Sequence, residues 1–189
     1  EPKVPLGEVG FIQGFFGGVA ADEPRAALAG RDVLTAGGSA ADAAAAIYFT
    51  LAVTMPSAAG LGGGGMCVVR DPNTQRVETL DFLGQNSSGS GRKILVPSNA
   101  RGIFALHAKF GKLEWRELIR PAENLARFGG QVSRAFAEDL RRAQGVLSAS
   151  KHGRKVFIGK NGKPLSEGVR LKQPDLASSL SRLRARGPA

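Results

Sequence analysis

The sequence predicts an α+β domain, and three observations carry that prediction. An alanine-rich run beginning at Ser39 lies between the pair Gly37-Gly38 and Pro56, the composition of a packed helix with a defined start and stop. Five glycines within residues 60–65 lead into an apolar run at 66–69, and a second strand-like run at 77–82 follows a turn. Beyond Pro97 apolar residues recur at helical spacing to about Leu140, and again after Pro174.

Residues 1–21 are rich in Gly and Phe and include a short strand near 18–21. Asp22-Glu-Pro24 opens a helix, with Asp22 as cap and an acid and a proline in the first turn. It runs to about Ala36 and ends at Gly37-Gly38. Ser39 caps the alanine-rich helix, which reaches about Thr54, and Asp42 stands where a capping box places its acid. Residues 66–70 and 77–82 form a hairpin across Asp71-Pro-Asn-Thr-Gln75. The Ser/Gly/Asn-rich stretch 85–92 reads as a mobile loop. Ile103, Leu106 and Phe110 share one helix face; Trp115, Leu118, Ile119, Ala122, Leu125 and Ala126 line another. Ser133 caps a helix carrying Phe136, Ala137 and Leu140. Residues 151–171 read as a basic loop with a β element at 156–158 and a turn at Asn161-Gly162. Pro174-Asp175 opens a last helix with Leu176, Leu180 and Leu183 on one side.

The 189 residues suffice for one domain, and 42% hydrophobic with 22% charged residues is an ordinary globular balance. The single Cys67 excludes an internal disulfide and a cysteine metal cluster, and its apolar neighbours predict a buried, inert thiol. The alanine-rich stretch 43–55 is too short to span a bilayer. The chain opens on Glu1 without a visible leader and closes on Arg-Gly-Pro-Ala189, which reads as a piece of a longer polypeptide. The charge of +10 is uneven: residues 1–140 hold 14 basic and 14 acidic side chains, and residues 141–189 hold 12 and 2. Residues 1–189 are therefore read as one partial domain whose basic segment 141–189 packs on a further, acidic segment of the polypeptide. The competing reading is a basic module for nucleic acid or an acidic protein. No aromatic set interleaves the cations for stacking, so nucleic acid is not the expected partner.

Gly60-Leu-Gly-Gly-Gly-Gly65 satisfies G-x-G-x-x-G, and Asp81 follows at a suggestive distance. A dinucleotide loop leaves a strand and opens a helix, however, and this one leaves a helix and enters a strand. It is read as close backbone packing, and no cofactor is expected. His107 and His152 lack ligand-spaced partners, so no metal site is expected either. Glu78 and Asp81 fall on opposite faces of their strand and form no acid–base pair. Residue chemistry alone assigns no catalytic residue.

Residues 36–69 with Thr79-Leu-Asp-Phe82 resemble the large subunit of the gamma-glutamyltranspeptidases, also called glutathione hydrolases. That family shows Gly-Gly-Asn-Ala-Val-Asp-Ala-Ala, a helix, a proline, Gly-Gly-Gly-Gly-Phe, and a strand ending Asp-Phe-Arg-Glu. This chain has Gly37-Gly-Ser-Ala-Ala-Asp-Ala-Ala44, Pro56, Gly62-Gly-Gly-Gly-Met66 and Asp81-Phe-Leu-Gly84. The likeness continues through Phe110-Gly-Lys-Leu-Glu-Trp115 and Leu171-Lys-Gln-Pro-Asp-Leu-Ala177. It implies the N-terminal portion of an N-terminal nucleophile hydrolase fold, an αββα sandwich, in a precursor that cuts itself. The implied nucleophile is the new N-terminal Thr of a small subunit. That subunit is the implied partner, a γ-glutamyl amide or another amide the implied substrate, and a periplasmic or secreted location the implied compartment. Internal Thr50 and Thr54 have no free α-amine, so this chain alone is expected to be inactive. The family's Arg that clamps the substrate α-carboxylate corresponds to Leu83, and its Glu to Gly84. Leucine cannot make that charge-assisted contact, worth about 1.5–3 kcal/mol. Three cases compete: a γ-glutamyl enzyme whose clamp has moved to Arg92, Lys93 or Arg101, an acylase for another amide, and an inactive homologue.

Overall fold

The structure is a computed structural model and describes residues 17–71, 73–86 and 95–188. The first helix, α1 (Pro24–Thr35), is capped by Glu23 rather than Asp22. The Glu23 carboxylate accepts from the Arg25 and Ala26 amides and from Arg25 Nε at 2.8 Å. A buried carboxylate needs those donors, which fixes the cap one residue later than expected. Residues 18–21 form no strand: their backbone is irregular and follows Gly17 at φ +131°.

The expected capping box is present at the start of α2 (Ala40–Thr54), with Ser39 and Asp42 bonding each other's amides. Ala41, Ala45, Ala46 and Ala52 are buried, and such small side chains let α1 pack closely on one flank. Phe49 lies at the centre, edge-on to Trp115 at 5.4 Å and to Tyr48 at 5.0 Å. The short α3 (Pro56–Ala59) follows Met55 and leads to the glycine loop.

The hairpin is the one expected. β1 (Gly65–Arg70) pairs antiparallel with β2 (Val77–Phe82), with Met66 opposite Asp81 and Val68 opposite Thr79. Alternation gives it two faces. Cys67, Val69, Leu80 and Phe82 are half-buried, whereas Met66, Val68 and Val77 are 55%, 69% and 63% exposed. Cys67 is thus half-buried, not fully buried, because two strands and one helix cover only one face; that partial burial pushes its thiol pKa up. β3 (Gln85–Asn86) and β4 (Leu95–Val96) form a second small ladder. Most of the expected loop 85–92 lies outside the described residues.

Two helices close the main core: α4 (Asn99–Phe110), which underlies the hairpin, and α5 (Trp115–Phe128), which packs on α2. The Phe82 ring rests on Gly102, where a Cβ would stand 2.0 Å from Cγ. Next, β5 (Gly130–Gln131) begins an excursion through α6 (Arg134–Arg142), α7 (Gln144–Ala149) and α8 (Lys151–Phe157). It returns at β6 (Arg170–Leu171), which pairs with β5. The expected loop is corrected to helix at 151–157, whereas Ile158 keeps β geometry and 159–169 remain turn and loop. Ser150 caps α8, Gly153 lies against the Leu147 backbone, and Phe157 meets Phe136 edge-on at 6.0 Å. These contacts join a second small core around Val132, Phe136, Leu140 and Leu171, and they override the strand preference of Val156-Phe-Ile158. The turn at Asn161 is present, and Ile158 bridges Pro164 across it.

The final helix, α9 (Pro174–Arg186), lies along α5. Gln173 ties it to the core: its Nε2 donates to the Val53 carbonyl at 2.8 Å, near the end of α2. Trp115 Nε1 donates to the Leu183 carbonyl at 3.0 Å. No helix among the described residues is long and apolar enough to cross a membrane.

Glu123 joins α5 to α9 by accepting from Arg127 and Arg184, each at 2.7 Å. Burial pushes its carboxyl up, and the two guanidinium groups more than offset this, holding it below the usual carboxylate range. A depressed folded pKa contributes stability that is present above the ordinary Glu value of about 4.3 and is lost as pH falls through the lower folded value. Glu123→Gln is expected to cost about 2 kcal/mol at neutral pH and to flatten the acid limb of stability against pH. Urea unfolding at a series of pH values, followed by circular dichroism, measures both.

Candidate functional site

Residues 60–65, the exit of β2 and the start of α4 meet in one cluster. Gly60's carbonyl accepts from Asn99 Nδ2 at 3.0 Å, from Tyr48 OH at 3.4 Å and from the Gly63 amide at 3.3 Å. Gly63's carbonyl accepts from the Ser98 and Asn99 amides at 3.0 and 3.1 Å, two donors that the first turn of α4 leaves free. Ser98 Oγ donates to the Phe82 carbonyl. The first residues of α4 thus hold the glycine loop with one set of groups and the end of β2 with another.

Glycine is required where the two segments touch. A Cβ at Gly64 would stand 2.3 Å from the Gly84 nitrogen and 2.7 Å from the Phe82 oxygen, and backbone atoms cannot swing away as a flexible side chain does. A Cβ at Gly62 would meet nothing within 4 Å. The loop follows α3 and enters β1, so it does not itself open a helix, in keeping with the expected order of elements.

Leu83 follows β2 directly, is 56% exposed, and donates its amide to Asp81 Oδ1 at 2.9 Å. The Leu95 side chain covers Gly84: a Cβ there would lie 2.7–2.9 Å from its carbons. Leu95 is itself 47% exposed. Of the three cations considered as substitutes at this position, Arg101 is exposed on the first turn of α4, and Arg92 and Lys93 lie outside the described residues.

Of the remaining sequence candidates only Asp81 touches this cluster, through the Leu83 amide. Glu78 and Asp81 do face opposite ways; Glu78 pairs with Lys109, and Asp81 is exposed. His152 is exposed on α8. His107 donates from Nε2 to the Leu113 carbonyl at 2.8 Å and lies 3.5 Å from Asp42 Oδ1. Sequence spacing gave no hint of that pair, because Asp42 looked fully used as a helix cap. Its Oδ2 in fact accepts from Ser39 and also from the Lys112 and Leu113 amides, so one buried carboxylate caps α2 and holds the turn before α5. Thr50 and Thr54 are buried within α2, where Thr54 Oγ1 donates to the Thr50 carbonyl. No group of three potential metal ligands occurs among the described residues. Ser98, Asn99 and Tyr48 are the members of the cluster that sequence reasoning missed; Pro97 marked only a helix start.

Two outcomes are expected here. Gly64→Ala should destabilise the protein by about 3 kcal/mol or more, whereas Gly62→Ala should stay within about 0.5 kcal/mol of the parent; paired urea midpoints compare them. Burial pushes the Tyr48 phenol up to about 12, and the Asn99 hydrogen bond offsets only part of that. Tyr48 is the one tyrosine of the sequence, so ultraviolet titration reads it alone. Its contribution to stability is full below the unfolded value of about 10 and is lost as pH rises through the folded one. Tyrosinate absorbance should therefore rise above pH 11, and Tyr48→Phe should flatten the alkaline limb.

Comparison with known proteins places this geometry in a family. The family model for gamma-glutamyltranspeptidase matches residues 26–189. The chain is 34% identical over 192 residues to the glutathione hydrolase proenzyme of Bacillus subtilis (strain 168), covering 90% of this chain and 32% of that one. It is 33% identical over 191 residues to the corresponding proenzyme of Escherichia coli (strain K12), covering 91% and 33%. The chain therefore spans about a third of the length of these curated relatives. The structure superposes on Helicobacter pylori gamma-glutamyltranspeptidase with a TM-score of 0.87 at 29% identity, covering 95% of this chain and 56% of that one. It superposes on the Bacillus anthracis transpeptidase CapD with a TM-score of 0.83 at 31% identity, covering 91% and 59%. A cephalosporin acylase from Bacillus halodurans shares the fold alone, with a TM-score of 0.75 at 22% identity. The α+β architecture is thus part of an N-terminal nucleophile hydrolase fold, and the chain belongs to the gamma-glutamyltranspeptidase family.

Proposed function

We propose that the whole protein is a self-processing amide hydrolase or acyltransferase in which this chain is the first part of the large subunit. Its substrates are amides of the γ-glutamyl type or relatives of them. The observation that carries this reading is the match over residues 26–189 together with the glycine loop seated beside the exit of β2.

The nucleophile in this reading is a threonine made N-terminal by cleavage further along the polypeptide. Its own α-amine takes the hydroxyl proton as the oxygen attacks the amide carbonyl, and backbone amides stabilise the oxyanion that forms. The acyl group passes to the threonine oxygen and the amine departs. Water or an amino-acid acceptor then releases the acyl group. What this chain contributes is the rigid wall around Leu83 and Gly84, held by Ser98 and Gly64. The exposed faces of Met66, Val68 and Val77 then receive the second sheet of the sandwich. The cations of residues 141–189 face an acidic part of the remaining polypeptide, a reading supported by the absence of acidic side chains between Asp139 and Glu167.

Leu83 makes the α-carboxylate of a γ-glutamyl donor a weaker handle than an arginine would, which favours an acylase over a strict γ-glutamyl enzyme. Expression of the full-length polypeptide tests the reaction. It should separate into two fragments and release 4-nitroaniline from an acyl anilide, and alanine at the new N-terminal threonine should block both events. A polypeptide that stays intact and releases no amine from any amide would make the inactive homologue the correct reading.

A further inference from the structure

We propose that Asn161 is a self-modifying residue. The Gly162 backbone nitrogen displaces its side-chain amide and leaves a carboxylate at the tip of the turn between α8 and β6. The modification is independent of the reaction proposed above.

Sequence and geometry meet at this one place. Asn161-Gly162 is the only Asn-Gly pair in the 189 residues. Lys160, Asn161, Gly162 and Lys163 are all exposed. Gly162 stands at φ +73°, and a Cβ built on it would meet nothing within 4 Å. Glycine therefore puts no side chain in the path along which its nitrogen closes on the preceding carboxamide. That carboxamide is already turned back along the chain, because Asn161 Oδ1 accepts from the Lys163 amide at 3.1 Å. Such a turn sets the carboxamide beside the intervening Gly162 peptide and polarises the carbon to be attacked.

The restraint on the nucleophile is the Gly162 amide's own hydrogen bond to the Gly159 carbonyl at 3.0 Å. It lies at an exposed tip, where local opening costs far less than unfolding the protein. Below it the turn is secured by the Gly159 amide, which donates to the Lys163 carbonyl at 2.8 Å, and by the bridge from Ile158 to Pro164. The other asparagines of the described residues differ. Asn73 and Asn86 precede Thr74 and Ser87, whose side chains crowd the approach. Asn99 is buried with its Nδ2 held by the Gly60 carbonyl, and Asn124 lies inside α5.

In the first step the Gly162 nitrogen gives its proton to water or hydroxide and forms a bond to Asn161 Cγ. The bond from Cγ to Nδ2 breaks, ammonia leaves, and a five-membered imide closes. Water then opens the imide at Cγ to give aspartate, or at the main-chain carbonyl to give isoaspartate, whose backbone runs through Cγ. One water is consumed and one ammonia released, and nothing is oxidised or reduced. Residues 140–166 include lysines and arginines but no Asp or Glu, so the product is the first acid within that run. It lowers the positive charge of the excursion, and the isoaspartyl form lengthens the backbone where Gly159 pairs with Lys163.

The full-length polypeptide, aged in heavy-oxygen water, tests this by peptide mass spectrometry, with isoaspartyl methyltransferase labelling to read the rearranged product. Asn161 should convert about tenfold or more faster than Asn124, whose helix must open first. The product should carry one heavy oxygen and a lower isoelectric point. The rate should rise with pH, because the attacking nitrogen must lose its proton. Asn161→Gln should abolish the conversion, and Gly162→Asn, which keeps a residue that tolerates positive φ, should slow it. A folded protein that keeps Asn161 intact while the urea-unfolded polypeptide converts it overturns the proposal, since the turn would then protect the residue. Faster conversion at Asn73 or Asn86, or a rate that Gly162→Asn leaves unchanged, overturns it as well.

Discussion

Contact between backbone at Gly64 and backbone at Gly84 sets the spacing of everything around the candidate site. The glycine loop can enter β1 beside the end of β2 only because Gly64 carries no Cβ, which would stand 2.3 Å from the Gly84 nitrogen. Once the two segments touch, their carbonyls need partners that are not in the hairpin ladder. Ser98 and Asn99, at the free N-terminal turn of α4, supply them. The helix start, the loop and the strand end therefore form one unit, and Leu83 projects from it at a position that packing dictates.

A second constraint operates beneath the first. α2 is buried along most of its length, so its polar groups must find partners inside the protein. Asp42 meets this need at one end by serving as helix cap and as acceptor for the turn at Lys112 and Leu113. Gln173 meets it at the other end by taking the Val53 carbonyl. α4, α5 and α9 are thus registered against α2 by hydrogen bonds as well as by apolar contact, and Trp115 with Phe49 fills the space between. Glu123 and its two arginines then close the outer side of α5 on α9.

The outward face of the hairpin contrasts with this buried interior. Met66, Val68 and Val77 stand exposed on a two-stranded sheet, an arrangement too small to be stable alone in water. The proposed reading has a second sheet cover this face, and the chain spans about a third of the length of its curated relatives. The excursion between β5 and β6 has a different character. It carries its own small core and is attached at a two-residue ladder, at Arg25, which reaches the Gln131 carbonyl at 2.6 Å, and at Ser57, whose Oγ donates to Asp139 Oδ2 at 2.7 Å. Lys151, Lys155, Lys160 and Lys163 are exposed on it.

The sequence by itself determined the helices whose apolar periodicity and caps agreed: α1 in extent, α2 with its capping box, and α4, α5, α6 and α9. It also determined the hairpin, because the turn residues after Arg70 and the alternation on both strands leave one register that buries a single face. The family likeness was legible in the glycines and in Asp81-Phe82. Tertiary structure decided the rest. Glu23 displaced Asp22 as cap because Arg25 could satisfy it in a buried setting. Residues 151–157 became helix because Phe157 had Phe136 to pack against, a partner that local propensity cannot register. The latch of Tyr48, Ser98 and Asn99 and the shelter of Gly84 by Leu95 join residues far apart in the chain through single hydrogen bonds or one side-chain contact. Such contacts leave no periodicity in a sequence, and they exist only once the backbones have been brought together.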